Sequence, residues 1–180
     1  MKDSDFECLL AKARQHDAQA LSALCELFYP KLLKYLHYRA GPDAAEDLAG
    51  EVVLKVMRSI AGQTGSFEPW LYRVAKNVLV DHARRAQARP ESPLGDEMLD
   101  TMTSPESVSD GVARQLDIEH GLAQLTEDQR ELLTLKFIQG LSNAEIGEVT
   151  GRNSDAVRAL QFRALTALRE VLEGERCIRT

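Results

Sequence analysis

The stretch Leu141–Ala164, LSNAEIGEVTGRNSDAVRALQFRA, decides the fold. Ser142 followed by Glu145 is a capping box: the hydroxyl accepts a backbone N–H of the first turn, and the carboxylate accepts the Ser142 N–H in return. Ala144, Ile146 and Val149 then suit a short amphipathic helix. Thr150-Gly151 ends it, because glycine takes the left-handed conformation of helix C-termini without steric cost. Asn153 or Ser154 can cap a second helix, in which Val157, Leu160, Ala164, Leu165 and Leu168 recur every three or four residues. Two short helices joined by a tight turn make a helix-turn-helix, whose second helix is shaped to lie in a DNA major groove.

With Val157, Leu160 and Ala164 turned inward, Arg158, Ala159, Phe162 and Arg163 form a separate i, i+4 face. Arg152, Arg158, Arg163 and Arg169 stand between Gly151 and Arg169 against one acid, Asp155, in a chain of net charge −6. A basic helix on an acidic protein is an electrostatic footprint for phosphate. The plainer reading of the same periodicity is a solvated face in a helical bundle. The overall acidity speaks against indiscriminate nucleic-acid binding and predicts weak binding alone, or binding through a larger partner.

Working outward, Thr126 and Gln129 form a second capping box ahead of a helix over Arg130–Ile138, closed by Gly140, and Val112–Leu125 reads as a helix before it. Upstream, Pro90–Gly111 holds three prolines, six acids and no basic residue. It lacks the apolar content for a core and reads as an extended, flexible, negatively charged connector. The expected organisation is therefore a helical domain over 1–89, a linker over 90–111 and a second helical domain over 112–180, frayed beyond Leu172. Asp5–His16, Ala18–Arg39, Asp43–Ala61 and Glu68–Arg85 all carry helical apolar periodicity, with a break or kink expected at Pro30. Gly62–Phe67, GQTGSF, is a turn-rich loop. With no strand pattern, the fold class is all-α: two small helical domains.

No apolar run approaches the roughly 20 residues that span a bilayer, and MKDSDFECLL lacks a signal-peptide core, so a cytoplasmic protein is expected. Cys8, Cys25 and Cys177 are widely spaced, and the histidines complete no zinc pattern. Cys8 and Cys25 read as buried small hydrophobes and Cys177 as a tail thiol. Asp81-His82 is an adjacent acid–histidine pair, and neighbours on a helix point apart. No nucleophile motif, phosphate loop or metal spacing accompanies it, so neither an enzyme, a metal, a cofactor nor a small-molecule substrate is expected.

In this order, the segments resemble the extracytoplasmic-function (group IV) sigma factors of bacterial RNA polymerase. DLAGEVVLKVMRSI (Asp47–Ile60) looks like the family's core-polymerase-binding helix in region 2. FEPWLYRVAKNVLVDHARR (Phe67–Arg85) looks like its promoter-melting segment, with W-L-Y-R-x-A-x-N intact. LTEDQRELLTLKFIQGLSNAEIGEVTG (Leu125–Gly151) and AVRALQFRALTALRE (Ala156–Glu170) look like region 4.

The resemblance implies a promoter-specificity subunit whose partners are core RNA polymerase and promoter DNA. Asp47, Glu51 and Lys55 would dock on the clamp of the polymerase's largest subunit. The GQTGSF loop with Phe67, and Asn77, would receive a base flipped from the −10 element, since an amide can donate to and accept from an exposed Watson–Crick edge. Arg73, Lys76, Arg84 and Arg85 would hold the separated strand by phosphate contact. Arg152, Arg158, Ala159, Phe162 and Arg163 would face the −35 element, where arginine can read guanine and Phe162 a thymine methyl. The acidic linker would run toward the RNA exit path. An anti-sigma factor, often membrane-anchored in this family, would be the regulator. The chain departs from the family's usual T-V-K/R-S-R-L/I: it carries Ala156-Val157-Arg158-Ala159-Leu160-Gln161. Gly50 also stands where a larger polar residue is usual. A self-sufficient helix-turn-helix regulator is the alternative, opposed by the melting-type segment in the N-terminal half.

Overall fold

The computed structural model describes residues 3–88 and 118–178, and all of that regular structure is helical. Helices α1 (Asp3–Arg14), α2 (Ala18–Ala40), α3 (Pro42–Ser59) and α4 (Phe67–Ala88) build the N-terminal half. The C-terminal half contains α5 (118–123), α6 (Glu127–Leu133), α7 (Asn143–Thr150) and α8 (Ser154–Ile178). The proposed linker, Arg89 and the start of the Val112–Leu125 helix lie outside the described residues.

Local chemistry sets the corners. The Asp17 carboxylate accepts the Ala20 N–H at 2.8 Å and caps α2. Gly41, at φ 85, turns the chain between α2 and α3, and Pro42 opens α3 where a missing N–H costs nothing. Pro30 does not break α2, which runs unbroken through it. Buried Phe28 and Leu32 flank the proline, and their packing holds the helix despite the lost hydrogen bond. The N-terminal half contributes Leu10, Leu24, Leu32, Leu36, Leu48, Val52, Ile60, Leu71, Ala75 and Val78 to the core. Its aromatic centre is Phe67, 4.8 Å from Phe28, 5.7 Å from Trp70 and 6.0 Å from Phe6 between ring centroids. Cys25 is partly buried, which pushes its thiol up, but Cys8 is exposed rather than in the core, because α1 buries Leu10 and Ala13 instead. Cys177 has no described side chain.

In the second half, the Arg130 guanidinium donates to the carbonyls of Leu122 (2.9 Å) and Ala123 (2.7 Å), locking the corner between α5 and α6. The helix expected over Arg130–Ile138 changes character part-way: Thr134–Ile138 is a π-turn, with the Gln139 N–H reaching back to the Thr134 carbonyl at 3.1 Å. The turn buries Leu135 and leaves Phe137 58% exposed. Likewise α8 continues to Ile178 instead of fraying beyond Leu172.

Candidate nucleic-acid interface

The helix-turn-helix is assembled by short-range bonds. The Ser142 N–H donates to the Glu145 carboxylate at 2.8 Å, and the Glu145 N–H donates to the Ser142 hydroxyl at 3.3 Å. Gly151 ends α7 in the left-handed region at φ 72, and the Arg152 N–H bonds the Gly147 carbonyl at 3.1 Å. Gly147 permits this closure: a Cβ there would lie 2.6 Å from the Arg152 carbonyl oxygen. Of the two candidate caps, Asn153 serves: its side-chain oxygen accepts the Ala156 N–H at 2.8 Å.

Val157, Leu160 and Ala164 are buried against the rest of the half, which turns Arg158, Ala159, Phe162 and Arg163 to solvent. Phe162 is 75% exposed, an apolar ring with no role in the core. Arg152 sits at the edge of this face, where Asp128 of α6 holds its guanidinium at 2.6 Å. Arg163 and Arg152 share a shallow depression with Thr126, Gln129 and Ala156. The departure Leu160 is thus a buried core residue, and Gln161 lies beside it at the margin.

On α4, Arg73, Asn77, Val80 and Arg84 are exposed at helical spacing and form one outward stripe. Val80 on that stripe is 40% exposed and escaped the sequence reading, since an apolar residue among apolar neighbours carries no signal until the core face is known. Phe67, expected beside the flipped base, is 4% exposed; its ring is the centre of the aromatic core, so it supports the loop rather than meeting a base. Gln63 braces that loop. Its buried amide donates to the carbonyls of Thr64 (3.1 Å) and Gly65 (2.9 Å), while its oxygen accepts from Arg14.

Two of the residues expected to hold the separated strand are instead paired within the chain. Lys76 pairs with Glu131 of the second half at 2.9 Å. Arg85 makes a two-pronged pair with Glu51, at 3.1 and 2.9 Å, whose hydrogen bonds hold the Glu51 carboxyl below its ordinary range and the Arg85 guanidinium above its own. Lys55 likewise reaches Asp81 at 3.1 Å, and Asp47 remains exposed. Between these charges Leu54 stands 54% exposed, off the buried line of Leu48, Val52 and Val56. Among the described residues no group of three His, Cys, Asp or Glu side chains could hold a metal ion. No described helix is long and apolar enough to cross a membrane.

Comparison with known proteins places the chain in a family. Residues 24–89 match the model of sigma-70 region 2, and residues 115–168 match that of sigma-70 region 4. The ECF RNA polymerase sigma factor SigF of Caulobacter vibrioides is 32% identical over 172 residues, covering 93% of this chain and 94% of that one. The chain belongs to the extracytoplasmic-function sigma factors of RNA polymerase. ShbA of Streptomyces griseus, of the same family, is 35% identical over 92% of this sigma factor and 94% of its own length. BldN of Streptomyces coelicolor is 34% identical over 93% of this sigma factor, which spans 66% of BldN's length. The fold is that of CnrH, solved in complex with the cytosolic domain of CnrY, at a TM-score of 0.70 and 20% identity over 93% of this chain and 96% of that one. It is similarly close to the sigma factor RpoE of Bartonella quintana, solved with the anti-sigma factor NepR, at a TM-score of 0.69 and 20% identity over 84% of this chain and 96% of that one.

Proposed function

We propose that this sigma factor, itself non-catalytic and working in the cytoplasm, brings core polymerase to promoters by using its two outward faces on different DNA elements. The observation that carries the reading is that Arg158, Ala159, Phe162 and Arg163 on α8, and Arg73, Asn77 and Arg84 on α4, are all exposed while their helices bury the opposite sides. The α8 face enters the major groove of the −35 element, with Arg152 on a flanking phosphate. The α4 stripe takes the opened −10 strand: Arg73 and Arg84 neutralise phosphates, and Asn77 pairs with an unstacked base beside the Gln63-braced loop. Lys76 and Arg85 join that stripe once released from their intramolecular partners. The α3 face, with Asp47, Glu51 and Lys55 around Leu54, docks on the polymerase clamp. As for the Bartonella RpoE, solved with the anti-sigma factor NepR, an anti-sigma protein fits as regulator, by covering faces that polymerase needs.

The test separates binding from opening. On a promoter this factor serves, Asn77→Ala holoenzyme should form the closed complex at parental affinity and lose permanganate reactivity of −10 thymines. Parental reactivity would remove Asn77 from strand capture.

A further inference from the structure

Between α3 and α4 the chain makes one tight turn, Ile60–Gly62, and then a loop in which Thr64, Gly65 and Ser66 are exposed while Gln63 is only 3% exposed. The Gln63 Nε2 donates to the Thr64 carbonyl at 3.1 Å and to the Gly65 carbonyl at 2.9 Å. Its Oε1 accepts from Arg14, the last residue of α1, whose Nε lies at 3.1 Å and whose Nη2 makes a second bond. Both hydrogens and both lone pairs of the amide are therefore used. It cannot turn over, because a guanidinium only donates and a carbonyl only accepts. The peptides of the loop are trans, so drawing the Thr64 and Gly65 carbonyls toward Gln63 turns the Gly65 and Ser66 N–H groups the opposite way. Neither N–H has a hydrogen-bond partner among the described residues. Gly65 sits at φ 72, and successive N–H groups about a left-handed residue make a concave seat for an acceptor.

We propose that Arg14 and Gln63 are positioning residues for base selection: they hold the loop so that the Gly65 and Ser66 N–H groups meet the flipped −10 base, and this donor pair favours a base with a carbonyl on its exposed edge over adenine. The proposal rests on the reading of this loop as the one that receives a −10 base.

Two adjacent N–H donors suit a carbonyl oxygen, which has two lone pairs. Thymine, cytosine and guanine each carry such an oxygen on the Watson–Crick edge that a flipped base exposes. Adenine offers there a ring nitrogen with a single lone pair and an amino group that is itself a donor. Donors fixed in advance need no ordering when the base arrives, so the brace sharpens the choice. Neither positioning residue meets the base itself. Gln63 is buried, and Arg14 stands on α1, before the segment that matches region 2. Both act through the backbone of the loop. Removing Arg14 would leave the Gln63 oxygen buried without a partner, and a buried polar atom in that state moves until it finds one.

The test uses holoenzyme on a promoter this factor serves. 4-Thiothymidine is placed at each non-template −10 position in turn and irradiated, and mass spectrometry identifies the position that cross-links within residues 63–67. That position is then made each of the four bases, and promoter opening is timed with a fluorescent reporter in the bubble. The ratio of rates between bases does not depend on how much protein is active, so a merely structural defect leaves it unchanged. The parental chain should open the adenine promoter about tenfold more slowly than the best of the other three, the scale of one base contact. Gln63→Glu removes both hydrogens that hold the loop but keeps the Arg14 partner, and Arg14→Ala removes the brace from the other side. Each should abolish most of that preference, and Arg14→Lys, which still donates to the Gln63 oxygen, should restore it. Equal slowing on all four bases in both variants, with the ratio kept, would overturn the proposal. So would a parental chain that is indifferent to adenine or favours it. Absence of any cross-link within residues 63–67 would instead refute the loop as the seat of a −10 base, and the proposal with it.

Discussion

At the scale of residues, what matters is which side chains a helix can spare. Arg158 is exposed and contributes nothing to the core, so its loss should be felt only on DNA. If it reads a guanine, Arg158→Ala should cost about 1–3 kcal/mol and relax one −35 position. A uniform weakening across −35 variants in a competition selection would make it a phosphate contact. Gly147 is the opposite case. Glycine to alanine inside a helix ordinarily gains up to about 1 kcal/mol. Here the new Cβ would meet the Arg152 backbone oxygen at 2.6 Å, so the turn itself must move. Gly147→Ala should destabilise the chain by about 1–3 kcal/mol, the usual penalty of overpacking, and lower the thermal midpoint. A raised midpoint would mean that the turn yields freely. The exposed α8 face was legible because Val157, Leu160 and Ala164 mark its opposite side by periodicity. Gly147 was not legible, because a close approach between residues in a folded turn leaves no trace in composition. Phe67 was misplaced because it directly follows the loop residues Thr64, Gly65 and Ser66, whereas its ring meets Phe6 and Phe28, which are distant in the chain.

At the scale of elements, α3 shows how a charged face can conceal an apolar one. Its outer charges are engaged with α4 through Glu51–Arg85 and Lys55–Asp81. Both pairs are largely solvated, and such pairs add little to stability. What α3 offers a partner is therefore Leu54, set among those charges, with the apolar-centre, polar-rim arrangement of protein interfaces. Leu54→Asp should leave the melting temperature unchanged and weaken core-polymerase binding by about 2 kcal/mol, the scale of an interface hot spot. Undiminished binding in an equilibrium titration would move the docking surface elsewhere. The π-turn at Thr134–Ile138 belongs to this scale too. An apolar run of ordinary helical spacing does not announce a widened turn, and tertiary packing decides it: Thr134 and Leu135 are wholly buried, while Gln139 reaches Tyr72 across the halves. The same override keeps α2 continuous through Pro30.

At the scale of the whole molecule, both helical halves contribute to one buried apolar cluster the residues that their own periodicity predicts, and the all-α class followed from that. The way they meet was hidden. The charged contacts of the interface include Arg39, Lys76, Glu127 and Glu131, and each reads in sequence as one more charge on a solvated helix face. Only the fold makes them pairs, and only pairing makes the burial of Arg39 and Glu131 tolerable. Function was more legible than geometry, because the helix-turn-helix, the W-L-Y-R-x-A-x-N segment and their order along the chain are local patterns. On this reading the chain gives core polymerase its promoter. Run-off transcription tests it: the purified chain is mixed with bacterial core RNA polymerase and fragments of the source genome, and transcript starts are sequenced. Starts that share −35 and −10 elements, and that vanish when the chain is omitted, are the predicted result. A chain that neither binds core polymerase nor yields such starts would contradict it.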